Sequence, residues 1–129
     1  MVVSMKRLPL PGETLIGGEF FMNSGGKGAN QAVAAARLGG DVCFIAKVGN
    51  DPFGSRAVDQ YKAEGIRVEH IGVDREHPSG VALIMVDEHG ENSIAVASGA
   101  NAALSQADVD SAMKAIAECD IVLMQLETP

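Results

Sequence analysis

Residues Gly25-Gly26-Lys27-Gly28 constrain this chain more than any other four. Glycine reaches positive φ without strain and lets a backbone pass close to a neighbour or a ligand. Residues 29–38 (ANQAVAAARL) follow directly, rich in strong helix formers, and stop at Gly39-Gly40. The pattern predicts a helix that opens on the turn and closes on a glycine. Its first N–H groups and positive dipole end face the turn. Lys27 adds a charged donor, and Asn30 an amide that donates and accepts. Such a pocket suits hydroxyl groups, although a turn that only redirects the chain would satisfy the same local pattern. Two phosphate-binding motifs fail here. The G-x-G-x-x-G fingerprint meets Gln31 where its last glycine should stand, and no Gly-Lys pair has the spacing and following hydroxyl of a P-loop.

The remaining pattern alternates. Residues 41–48 (DVCFIAKV) and 120–126 (DIVLMQL) are apolar runs that predict buried strands. Residues 53–64 predict a second helix closed by Gly65, and 68–73 a short extended stretch. Ser105 with Asp108 three positions on is a capping-box signal for a helix whose apolar face is Val109, Ala112, Met113, Ile116 and Ala117. Strands alternating with helices predict an α/β fold built on a partial doubly wound parallel sheet. Two stretches break the rhythm. Residues 13–23 read as one or two short strands interrupted at Gly17-Gly18. Residues 81–87 and 93–97 flank a short Gly-containing loop and predict a hairpin. Together they predict a small β lid inserted into the α/β core. Val2 and Val3 are too short a run for a good first strand, and the last strand lacks the following helix that a parallel sheet needs. The expectation is a chain cut at both ends of its fold.

Charge and composition narrow the partners. A formal net charge of −7 opposes nucleic-acid binding, which needs clustered Lys and Arg. No apolar run approaches a membrane span, and 1–12 lacks the apolar stretch of a secretion signal, so a cytoplasmic protein is expected. Cys43 and Cys119 lie in separate apolar runs and read as buried thiols. His70, His77 and His89 lack paired ligand spacing and read as loop or surface residues, so no metal site is expected. Asp51 and Asp87 read as turn or strand-end residues.

The run from Gly25 to Gly39, GGKGANQAVAAARLG, resembles the first signature of the ribokinase-type (PfkB) carbohydrate kinases. Other segments are similar to that family's motifs in the same order: Pro11-Gly12-Glu13-Thr14, Val48-Gly49-Asn50-Asp51-Pro52-Phe53-Gly54, Gly80-Val81-Ala82, Gly90-Glu91-Asn92, Gly99-Ala100-Asn101-Ala102 and Gln125-Leu126-Glu127. The resemblance covers nearly the whole chain. It implies a sugar site formed by Gly26, Lys27, Asn30 and Glu127. The bottom-up reading agrees for Glu127, at the carboxyl end of a predicted strand where open α/β sheets bind ligands; an ordinary solvated acid remains the alternative.

The resemblance also implies transfer of the ATP γ-phosphate to the O5 hydroxyl of D-ribose, with Mg2+ accompanying ATP and a monovalent cation such as K+. The family's catalytic aspartate lies in a Gly-Ala-Gly-Asp segment, which these residues do not contain, and its first-strand Asn-x-Asp element is missing too. A sugar-binding and lid portion, 1–129, inactive alone and without the nucleotide-binding half, is therefore expected, with no catalytic residue and no cofactor-binding residue of its own. The alternatives are a short sugar-binding or lid-pairing module without kinase activity, and a fructokinase-like member. Apolar residues on both faces of the hairpin predict a homodimer through the lid.

Overall fold

In the computed structural model, which describes Met1–Pro129, the helix behind the glycine turn forms as α1 (Lys27–Arg37). Gly39 ends it at φ 93°, donating its N–H to the Ala36 carbonyl. The chain then passes Cys43, bridged to Arg67, and enters β3 (Ala46–Gly49). Helix α2 (Pro52–Ala63) follows, capped by Asp51 with Pro52 in its first turn, where a missing N–H does no harm. Gly65, at φ 76°, closes it. Strand β4 (Ile71–Asp74) lies parallel to β3, pairing Ala46 with Ile71 and Lys47 with Gly72. Parallel strands joined by a crossover helix are the α/β arrangement that the sequence predicted.

These elements belong to one unit, Gly25–Gly80 with Ser98–Pro129. Its core is Ala32 from α1, Tyr61 from α2 and Ile66, with Phe44, Val42, Val68 and Ile71 packed around them. Alanine at position 32 leaves room for the large Tyr61 ring, which meets Phe44 edge-to-face with centroids 5.4 Å apart. A 3-10 turn, Gly99–Ala103, is anchored where the Ala100 N–H donates to the Pro78 carbonyl at 2.8 Å. A Cβ on Gly99 would stand 2.2 Å from that carbonyl oxygen, and one on Gly80 2.7 Å from the Ser98 carbonyl oxygen, so two backbone strands touch here with no room for side chains.

The second unit is Met1–Ser24 with Val81–Ala97. It is a four-stranded sheet in the order β2 (Glu19–Phe21), β1 (Val2–Ser4), β5 (Val81–Val86), β6 (Asn92–Ala97). Strand β1 runs parallel to β5 and antiparallel to β2. The hairpin forms as expected, with β5 antiparallel to β6. Its tip closes on Asp87, whose Oδ1 accepts the N–H groups of His89 and Glu91. Glu13 folds the Pro11-Gly12 turn back by accepting from Arg7 and from the Leu10 N–H; Arg7 then holds its carboxyl down at about 2.

Five expectations need correction. Val2 and Val3, judged too short a run, do enter a strand, Val2–Ser4, because β2 and β5 flank it on both edges. Only Glu19–Phe21 of 13–23 is a strand. The helix after Ser105 is two short helices, α3 (Gln106–Ser111) and α4 (Met113–Glu118). The Ser111 hydroxyl donates to the Asp108 carbonyl at 2.7 Å, competing with the ladder bond from the Ala112 N–H, which turns to Val109 instead. Finally, 120–126 is not a strand: no neighbouring strand bonds to it, and Ile121, Leu123 and Met124 are exposed. Apolar β-prone residues do not make a strand without a ladder partner. The two cysteines are not buried either: Cys43 is half-buried and Cys119 exposed. No helix is long and apolar enough to cross a membrane.

Candidate functional site

Helix α1 begins without a side-chain cap. Its N-cap is Gly26, at φ 102° and ψ 135°, a conformation that side-chain-bearing residues rarely adopt. The Gly26 carbonyl accepts the Asn30 N–H at 2.8 Å and starts the helical ladder. The earlier N–H groups of the first turn have no capping oxygen from this residue and remain donors. Lys27 projects from the same turn and its Nζ pairs with Oε1 of Glu127, which lies 100 residues on. The turn also sits close to the segment leading to Glu127. A Cβ on Gly28 would meet Gln125 Cγ at 3.8 Å and the Phe44 ring at 3.9 Å.

Of the four residues singled out from sequence, Lys27 and Glu127 are thus in direct contact and Gly26 immediately precedes Lys27 in the chain. Asn30 stands one turn along α1, exposed and joined to Gly26 through its backbone. Both members of the ion pair are more than half exposed, so the pair adds at most about 1 kcal/mol to folding. Its interest is chemical. An ammonium offers three donors and a carboxylate accepts at two oxygens, so one shared contact leaves both able to bind hydroxyls. The local charges cancel, which suits a neutral polyol better than an anion. They do not suit a hard cation: the Glu127 carboxylate is already held by an ammonium, and Mg2+ demands an octahedral set of oxygens.

A second cluster was only partly visible in sequence. Asp51 caps α2 by accepting the Gly54 N–H at Oδ1, 2.8 Å away. The same carboxylate accepts from Ser79: the backbone N–H at 2.7 Å and the hydroxyl at 2.8 Å. Ser79 Oγ in turn accepts the Gly49 N–H at 2.9 Å. The backbone donors of Gly54 and Ser79 hold the Asp51 carboxyl below its usual range. Asp-Pro before a helical pattern is a cap signal, but the Ser79 partner lies too far along the chain for any local pattern to reveal. Asp74 is occupied in a similar way, since its Oδ1 accepts the N–H groups of Glu76 and His77, which keep its carboxyl low. Both acids serve the backbone, and lowered carboxyls make poor proton acceptors.

The sequence profile of the pfkB family carbohydrate kinases matches residues 2–126. This chain belongs to that family. The pfkB-family chain is 47% identical to the ribokinase of Haemophilus influenzae over 128 residues, which is 99% of this chain and 42% of that protein. The structure of ribokinase from Giardia lamblia superposes with a TM-score of 0.90 at 35% identity, covering 99% of this chain and 39% of that one. Arabidopsis thaliana ribokinase, solved with ribose and ATP, gives a TM-score of 0.79 at 31% identity, covering 99% and 42%. The chain spans about two fifths of the length of these relatives.

Proposed function

We propose that this chain supplies the sugar-binding part of an ATP-dependent ribokinase, a protein that transfers the ATP γ-phosphate to the O5 hydroxyl of D-ribose. Gly26, Lys27, Asn30 and Glu127 hold the sugar's hydroxyls in this reading. The observation that carries it is the Lys27–Glu127 pair at the uncapped amino end of α1. It joins two segments that resemble separate family motifs, and it offers donors and acceptors side by side. The kinship with ribokinases and the ribose and ATP held by the Arabidopsis relative support the choice of sugar and phosphoryl donor.

ATP, its Mg2+ and a K+ ion are assigned to other parts of the full-length protein, because the Lys27–Glu127 set offers no oxygen cage for a cation. No step of the transfer is assigned to a side chain of these 129 residues. Their task is to orient the acceptor, and in phosphoryl transfer positioning accounts for much of the rate. The 129 residues alone are accordingly expected to be inactive. Intracellular sugar metabolism, and hence the cytoplasm, is the setting this reading gives the protein.

In the full-length protein, Lys27→Ala and Asn30→Ala are each expected to raise the KM for ribose about tenfold or more, as loss of a hydrogen bond to a charged or amide group does. Steady-state kinetics with ribose, 2-deoxyribose and fructose checks this. Unchanged ribose KM in both variants would reduce the turn to a structural element. Fructose as the better substrate would select the fructokinase-like alternative.

The unit containing the hairpin acts as a lid in this proposal, and its sheet pairs with that of a second copy. Strand β6 is one edge of the sheet and is exposed along its whole length. Ile94 and Val96 on β6 and Leu83 on β5 are more than half exposed. An apolar edge of that kind needs a cover. Light scattering of the full-length protein is expected to give a dimer's mass; a monomer's mass at high concentration ends the pairing idea.

A further inference from the structure

Cys43 leads into β3, while Glu69 and His70 lead into β4. The parallel pairing of these strands extends backward past their ends. The Phe44 N–H donates to the Arg67 carbonyl at 3.0 Å, and the Ala46 N–H faces the His70 carbonyl at 3.4 Å. This register brings a thiol, an imidazole and a carboxylate together, with their ligand atoms all within 4.8 Å of one another. Cys43 and His70 are half-buried and Glu69 is exposed, so the cluster opens to solvent on one side. The linear spacing of these residues gave no sign of it, because the two strand entries meet only in the folded sheet.

The donor set selects an ion. One thiolate, one imidazole and one carboxylate suit a borderline-soft dication such as Zn2+, which accepts sulfur, nitrogen and oxygen ligands in tetrahedral geometry. Ligand atoms around Zn2+ lie about 3–4 Å apart, so the cluster stands about 1 Å from a closed set. The thiolate and carboxylate together balance the ion's charge. Magnesium and calcium prefer several oxygens and find a single carboxylate here. The nearest competing cation is Arg67, whose Nη1 stands 3.9 Å from Glu69 Oε1. Asp41 already engages that guanidinium at 3.2 Å, which reduces its hold on Glu69. Cys119, whose thiol donates to the Ile116 carbonyl, is not among the three clustered ligand atoms.

We propose that Cys43, Glu69 and His70 form a Zn2+ site with one position left to solvent. The site lies at the amino ends of β3 and β4, whereas open α/β sheets bind their substrates beyond the carboxyl ends. An ion there ties two strand entries together, so its binding free energy adds to that of the fold.

Cobalt titration of the full-length protein provides the test, since Co2+ reports thiolate ligation by a near-ultraviolet charge-transfer band. The expected result is one-to-one binding with that band, displaced by Zn2+ and untouched by excess Mg2+. Cys43→Ser is expected to abolish the band. His70→Ala should weaken cobalt binding on the order of 100-fold, beyond the loss seen when only an outer partner of a ligand is removed. Glu69→Gln, on an exposed side chain, should weaken it about tenfold and remains informative if Cys43→Ser does not fold. Absence of the band overturns the proposal. So does a band that survives Cys43→Ser, or a cobalt affinity unchanged in both His70→Ala and Glu69→Gln.

Discussion

Gly54→Ala is expected to abolish cooperative folding of the larger unit. A methyl group at this position would lie 2.2 Å from the Gly49 carbonyl oxygen, 2.8 Å from Ser79 Oγ and 3.2 Å from Val48 Cβ. The first of these is backbone at the end of β3 and cannot rotate aside. Moving it disturbs the Gly49 N–H bond to Ser79, and with it the Asp51 carboxylate that holds Ser79 and caps α2. Overpacking a core ordinarily costs about 1–3 kcal/mol, but that figure assumes side chains can yield. With a backbone carbonyl in the way and Ser79 Oγ and Val48 Cβ close behind it, the cost is about 4 kcal/mol or more, a large part of the whole stability of a typical domain. Gly25→Ala is the control, because its Cβ would meet nothing within 4 Å. Urea denaturation followed by circular dichroism decides it. A cooperative Gly54→Ala transition with the parent's midpoint would show that the loop relaxes freely.

Asp108→Ala is expected to cost about 2–3 kcal/mol and to change how the chain responds to acid. The Asp108 carboxylate stands 2.7 Å from Lys47 Nζ, with both side chains less than a quarter exposed. It also accepts the Ser105 N–H and hydroxyl, each at 2.7 Å, completing the capping box of α3. Lys47 donates further to the Ala103 carbonyl at 3.1 Å, so the pair fastens β3 to the segment that follows the 3-10 turn. Removing the carboxylate leaves a largely covered ammonium short of a partner. Lys47 and then Ser105 hold the Asp108 carboxyl down at about 2, against 3.8 for a free one. A group depressed on folding contributes stability that is full above its unfolded value and vanishes as pH falls through the folded one. The parent should therefore lose stability between roughly pH 4 and 2 more steeply than Asp108→Asn does. Parallel profiles across that window would mean the Lys47 contact is too weak in solution to matter. Asp51 and Asp74 add to the acid sensitivity of both proteins, so the difference between parent and variant isolates Asp108.

Local signals carried much of the fold. Gly39 and Gly65 closed the helices they were expected to close, Ser105 and Asp108 formed their box, and the loop at 88–91 turned the hairpin. Each depends on neighbours a few positions away, which a sequence displays directly. The misreadings concern partners. The segment 120–126 has the composition of a buried strand but no ladder to join, and Val2-Val3 looked too short until strands on both sides supplied the hydrogen bonds. At the candidate site, the sequence displayed the glycine turn at Gly26 and the helix behind it, and left open whether that turn binds anything. The contact between Lys27 and Glu127 was not legible, because nothing local links residues so far apart; only family likeness suggested that both belong to one site. The Asp51–Ser79 clamp and the Cys43–Glu69–His70 cluster were invisible for the same reason.

The touching backbones at Gly80 and Gly99 bear on how the chain tolerates change. Residues 81–97 leave and re-enter the larger unit through one stitch, held by the Ala100 N–H on the Pro78 carbonyl. Loop closure is settled at that stitch whatever the length of chain beyond it, and doubling such an excursion adds only about 0.6 kcal/mol of entropy. Insertions or deletions at the exposed tip, 88–91, should pass almost unnoticed by the Tyr61 core. The same number of residues placed between Pro78 and Gly80 would undo it.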